Sequence, residues 1–267
     1  MTDTASHTTP TTVRRYEWVA FEAIWVRELT LFRRYWASTT FSAIVQPTIY
    51  LLAFGLGVGT LITSINGLSY VEYVGTGTVA MAVLFASAFP GMFSTFVRRV
   101  FQRSYDALLA APVDIEELVL AEGTWIAAKA GIFGSIPLVV TFFFGLTPTW
   151  GMLFVPFIAF LAGLGWAYFG MWQSTVVKTI DAFTYITSAV LTPLFLVAGT
   201  FFPISNLPPV LQALAQLNPL FHCVQLVRDA CFGWQPLADL YHFAVLLAFA
   251  LLMWELASTG MRRRLLA

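Results

Sequence analysis

Residues Arg98 to Glu122, RRVFQRSYDALLAAPVDIEELVLAE, hold eight of the 28 charged side chains (14 Lys/Arg plus 14 Asp/Glu) of a 267-residue chain. Such a charged stretch either presents a knob to a partner or is an ordinary solvated connection, which is what most charge runs are. Catalytic patterns are absent elsewhere. There is no G-x-x-x-x-G-K-[ST] phosphate loop, and Lys129 and Lys178 are the only lysines. The three histidines, His7, His222 and His242, form no triad with a nucleophile, and His222 has no ligand partner at metal-binding spacing. Cys223 and Cys231 are eight residues apart, about 12 Å along a helix and beyond disulfide reach. They read as small buried apolar residues.

The island has its own local structure. YDALLAA reads as one or two turns of amphipathic helix, and Pro112 ends it, because a proline disfavours helical backbone in the residue before it. Asp114 is placed to N-cap a second helix from Ile115, with Glu116 and Glu117 in the first turn, where the helix dipole favours acids.

The elements that position this island are apolar. The chain is 58% hydrophobic, 16% aromatic and only 10% charged, with a mean hydropathy of +0.77. That is far from soluble proteins, which carry roughly a quarter charged residues. The composition predicts an all-α polytopic membrane protein with a single domain over residues 13–267, and a net charge of zero gives no sign of nucleic-acid binding. Residues 1–12 read as a disordered polar tail. Over 13–36, Trp18, Phe21, Trp25, Leu29 and Phe32 recur at helical spacing with Arg14, Glu17, Arg27, Glu28 and Arg34 placed mostly elsewhere, the pattern of a helix lying in the membrane interface. Six spans of about 20 residues are expected, near Thr39–Ile62, Val74–Val97, Trp125–Leu146, Met152–Val176, Phe183–Phe202 and Leu240–Thr259. Arginine and lysine gather in the amino-terminal segment, the 98–122 connection and the tail. The positive-inside rule therefore puts both termini and the island in the cytoplasm of a multi-pass cell-membrane protein. Lys129 falls within the cytoplasmic half of the third span, where it can snorkel to the headgroups or pair with a carboxylate such as Glu122.

A second unusual stretch, 199–239, lies on the predicted outer side. It is too apolar for a free loop, yet Pro203, Pro208, Pro209 and Pro219 interrupt it. Short re-entrant helices over Pro209–Gln216 and Leu220–Phe232 are expected, with Asn206 and Asn218 beside the breaks to bond freed backbone groups and Arg228 and Asp229 near the outer interface. Packed over the path, this region is a candidate outer gate hinged at Pro193 and Gly199. Phe85, Phe89 and Phe93 recur every four residues, and Phe195, Phe201 and Phe202 end the fifth span. They are candidate path residues, although such stripes more often pack one helix on another. Gly55, Gly57 and Gly59 offer close helix approach in the first span.

The order of these parts, with YDALLAAPV after the second span and LTPLFLVAGTFFPISNLP followed by LNPLFHCVQLVRDACFG near the fifth, resembles the membrane subunits of ABC-2-type exporters. The similarity is greatest to the nodulation-factor and daunorubicin-type branches and runs from about Tyr16 to the end. The resemblance implies a homodimer or heterodimer of permeases in the lipid bilayer, bound to two ATP-binding subunits. Those partners would hold ATP and Mg, and this non-catalytic chain would hold no cofactor. It also implies that Arg98, Arg99, Arg103, Tyr105, Asp106, Leu108, Leu109 and Pro112 contact the ATPase, with the apolar residues as anchors. An ion-coupled carrier is the competing reading, disfavoured by the lack of midplane carboxylates. A membrane assembly factor or embedded enzyme is disfavoured by the lack of any acid–base or metal cluster.

Overall fold

The computed structural model describes residues 18–62, 64–110 and 113–266. The expected tail, residues 13–17 and Pro112 lie outside them. The described chain is helical apart from one two-stranded hairpin, Ser64–Ile65 with Leu68–Ser69. Its helices are α1 (Trp18–Leu51), α2 (Tyr70–Phe101), α3 (Ser104–Leu109), α4 (Ile115–Phe142), α5 (Trp150–Val176), α6 (Ala182–Leu196), α7 (Pro209–Gln216), α8 (Pro219–Phe232) and α9 (Pro236–Leu265).

Four of them, α2, α4, α5 and α9, are long and apolar enough to cross a membrane, and the bent pair α7–α8 adds a fifth candidate. They match the expected second, third, fourth and sixth spans. The other two expectations fare differently. α1 runs without a break through the predicted boundary at residue 36, so among the described residues no helix ends there to lie separately in the interface. Glu22, Arg27, Glu28, Arg33 and Arg34 all fall in its first half and keep that half polar. The helix then widens to a π turn over Leu52–Gly57. α6 has only 15 residues, about 22 Å, because the backbone leaves helical geometry at Val197 and Gly199 adopts φ +78°.

Local chemistry sets the starts. Ser69 accepts from the Glu72 amide while the Glu72 carboxylate accepts from the Ser69 amide, a capping box that opens α2. Asp114, in extended geometry, precedes α4, and its amide donates to Glu117. Prolines inside helices remove a donor, and the helix widens to π geometry nearby. In α2 this happens at Pro90–Ser94, and in α6 at Thr187–Leu191 just before Pro193.

α5 is the centre of the bundle, packed on by α2, α4, α8 and α9. Its apolar window is 67% buried, against 22% in peripheral α9. The backbones of α2 and α5 approach closely where they meet glycine to glycine. A Cβ on Gly91 would stand 2.5 Å from the Ala167 carbonyl oxygen, and one on Gly170 equally close to that of Ala88. The glycines expected to matter are less involved: Gly55 meets Val71, but nothing lies within 4 Å of a Cβ on Gly57. Gly170→Val is therefore expected to lower stability by ~1–3 kcal/mol through overpacking, while Gly57→Ala leaves the melting temperature of the purified protein unchanged. Equal melting temperatures for both variants would contradict this packing.

Candidate functional site

The charged end of the bundle is closed by a ring of alternating charges. Arg27 and Glu28 come from α1, Arg98 from the π turn ending α2, and Glu122 from the second turn of α4. The Arg27 guanidinium donates to Glu28 at 2.9 Å and to Glu122 at 2.7 Å. Arg98 donates through Nη1 to Glu122 at 2.9 Å, and its Nη2 lies 2.8 Å from Glu28. Both carboxylates are nearly sealed, Glu28 at 5% exposure and Glu122 at 1%. Burying a carboxylate costs several kcal/mol unless it is paired and hydrogen-bonded, and here each acid meets two guanidinium groups. The Trp25 indole adds a 3.3 Å bond to Thr124 from the same α1 face.

Tyr105 connects α3 to this ring. Its hydroxyl donates to the remaining Glu122 oxygen at 2.5 Å, and its side chain is fully buried. Burial and then the Glu122 charge hold the Tyr105 pKa well above the usual tyrosine range, so the hydroxyl remains a donor. The chain reaches α3 through Arg103, which adopts a left-handed φ of +50° and so folds α3 back beneath the bundle. Leu108 and Leu109 are half-buried against the core, while Arg103, Asp106 and Ala107 are exposed.

The predicted coupling residues thus divide. Arg103 and Asp106 stand on the surface. Tyr105 and Arg98 turn inward, where Glu122 and Glu28 take their donors. Arg99 is also turned inward: it donates to the Ser174 carbonyl, and Arg264 donates to that of Thr175, so two arginines close the carboxyl end of α5. Arg262 pairs with Glu116 at 2.5 Å on the rim. A cleft of about 350 Å³ beside α3 is lined by Leu109, Ile115 and Arg262.

The candidate path phenylalanines form a ladder. Phe85 packs on Phe89, Phe89 on Phe93, Phe85 on Phe195 and Phe195 on Phe201, with centroids 5.4 to 6.2 Å apart. Phe93 extends it to Phe183, and Phe201 to Phe54. The stripe therefore joins α2 to α6. Phe202 makes no ring contact among the described residues.

At the opposite end, α7 and α8 meet at a bend of 81°. Asn218 makes both of its expected bonds: Oδ1 accepts from the Leu220 amide and Nδ2 donates to the Leu194 carbonyl. Asn206 makes no side-chain bond among the described residues. Pro203 precedes a short 3-10 turn at Ile204–Asn206, and Pro208, Pro209 and Pro219 mark the helix starts. Arg228 is not at the surface. It is 8% exposed, lies 3.6 Å over the Tyr73 ring and donates to the carbonyls of Tyr73 and Gly199. The frayed turn at Gly199 frees the carbonyl that Arg228 takes. His222 is buried and its Nδ1 lies 2.6 Å from that of His242, a pairing hidden by 20 residues of separation. Cys223 and Cys231 are free and buried, as expected.

The ring at the charged end should dominate stability. Glu122→Ala leaves Arg27 and Arg98 to share Glu28 alone and takes the carboxylate acceptor from the buried Tyr105 hydroxyl, with an expected cost of ~3–5 kcal/mol. Glu116→Ala breaks the rim pair, where Arg262 is 48% exposed, and should cost at most ~1 kcal/mol. Thermal melts of the two purified variants check the ranking, and similar losses would refute it.

The description "ABC-2 type transporter" matches residues 19–232. Nodulation protein J of Rhizobium meliloti (strain 1021) is 29% identical over 252 residues, covering 94% of this chain and 95% of that protein. Nodulation protein J of Rhizobium leguminosarum bv. trifolii is 29% identical over 245 residues, covering 91% and 93%. The inner membrane transport permease YadH of Escherichia coli (strain K12) is 28% identical over 247 residues, covering 91% and 96%. With most of its length inside the match and its apolar helices placed as described, the chain belongs to the ABC-2 type transporter family of membrane permeases.

Proposed function

We propose that this chain is the permease subunit of an ATP-driven exporter whose ATPase is a separate polypeptide. The observation that carries the reading is α3, a short helix at the arginine-rich end of an ABC-2 bundle, its outer face bare and its inner face bonded into the charge ring. The positive-inside rule assigns that end, with both termini, to the cytoplasm. An ATP-binding subunit would dock on Arg103, Asp106 and Ala107 and reach into the adjacent cleft, and ATP and Mg would be held on that partner. Because Tyr105 and Glu122 join α3 to α1, α2 and α4, a displacement of α3 would move these helices together.

A second permease copy and a second ATPase complete the assembly in this reading. α1 with its π turn, and α6 with the chain after it, supply the remaining two of six crossings. The phenylalanine ladder borders the path, and α7–α8 forms the outer gate, latched at rest by Arg228 on the Gly199 turn. The half-buried aromatic lining suits an amphipathic cargo, whether drug-like, lipid-like or glycan-bearing.

Ala107→Arg and Asp106→Lys alter only the exposed face of α3. In vesicles carrying the permease with its ATPase, both should reduce co-purification and ATP-driven export about tenfold while leaving the melting temperature unchanged. Wild-type co-purification and export in both variants would overturn the docking site.

A further inference from the structure

Lys129 lies within α4, seven residues and about 10 Å beyond Glu122. Sequence alone offers it two partners, Glu122 or the headgroup layer. The structure removes the first, since Glu122 Oε1 receives Arg27 and Arg98 and Oε2 receives Tyr105. Among the described residues no carboxylate lies within salt-bridge distance of Lys129, and its ammonium rests 5.7 Å from the Trp125 ring centroid.

Its place on the helix gives the direction. Trp125, Lys129 and Phe133 are spaced four apart and share one stripe of α4. Both aromatic rings of that stripe pack against Phe32 of α1. Lys129 therefore belongs to the α1–α4 seam. Across the seam, Arg33 follows Phe32 directly, and Arg33 and Arg34 are exposed with no acid partner among the described residues. One turn further along α1, Trp36 is 57% exposed. The seam joins a cation inside a membrane helix that has no ion-pair partner among the described residues, two more cations on the facing helix and an open apolar ring surface. A lysine at such depth is costly unless an anion meets it, and basic seams between membrane helices recruit anionic headgroups.

We propose that the α1–α4 seam is a binding site for an anionic phospholipid, its phosphate held by Lys129 and Arg33 and an acyl chain laid along Trp36. The alternative source of the same chemistry, free phosphate, lacks the apolar half that Trp36 would meet. The site does not depend on the exporter reading.

Native mass spectrometry of the purified full chain tests it, with phosphatidylglycerol and phosphatidylcholine of identical acyl chains as probes. The wild type should retain phosphatidylglycerol over phosphatidylcholine by about fivefold or more. Lys129→Gln should erase most of that preference without changing phosphatidylcholine retention, and Lys129→Arg should keep it. Should Lys129→Gln fail to fold, the exposed Arg33→Gln carries the test, with a smaller loss of preference expected. Equal retention of the two lipids by the wild type overturns the proposal, as does an undiminished preference in the folded variants. Displacement of the bound lipid by millimolar inorganic phosphate would also overturn it, since the site would then be one for a free anion.

Discussion

Four charged side chains from three helices bond in a closed ring, and the charged end of this bundle depends on it. Neither acid has a solvent alternative, for Glu122 and Glu28 are almost wholly enclosed. The geometry meets their demand by alternation, with each guanidinium reaching both carboxylates and Glu122 keeping its second oxygen for Tyr105. Such a ring adds little net stability compared with an apolar core, but removing one member leaves buried charges short of a partner. It therefore acts as a register device, with one arrangement of α1, α2, α3 and α4 that satisfies all of its members.

The rest of the molecule is fastened by other means. Through the middle, α5 is held by close backbone approach at Gly91 and Gly170 and by the interlocking of small and large side chains. The phenylalanine ladder links α2 to the short α6, where ring contacts replace the length that α6 lacks. At the far end arginine is used again, in a different way. Arg228 has no acid partner among the described residues and is held by two carbonyls and the face of Tyr73. One of those carbonyls, that of Gly199, is free because the helix has ended there. One end is thus locked by full charges and the other by dipoles and a ring, which fits a bundle whose two ends take different parts in a transport cycle.

Much of this was legible in the sequence at the level of elements. Asp114 with Glu117 announces the start of α4, Asn218 announces that of α8, and four of the expected spans stand where hydropathy put them. The expected interface helix fails for an identifiable reason. Trp25, Glu28 and Phe32 lie three and four residues apart, so Glu28 shares the aromatic face, and that face turns to α4 rather than to the membrane interface. The roles of Tyr105 and Arg98 were not legible, because the acids that turn them inward lie 17 residues and 24 to 70 residues away in sequence. The His222–His242 pair was hidden for the same reason. Local spacing reveals which face a residue occupies but not what the fold brings opposite it.

The central claim is that α3 is a rigid part of the bundle, held by Tyr105 on Glu122, rather than a free connecting loop. Hydrogen–deuterium exchange of the 104–109 backbone amides in the purified full chain measures this directly. The account predicts exchange in the wild type nearly as slow as that of the first turns of α4. It further predicts marked acceleration confined to 104–109 in Tyr105→Phe, with the membrane helices unchanged. Wild-type amides that exchange at the rate of an unstructured loop would contradict it.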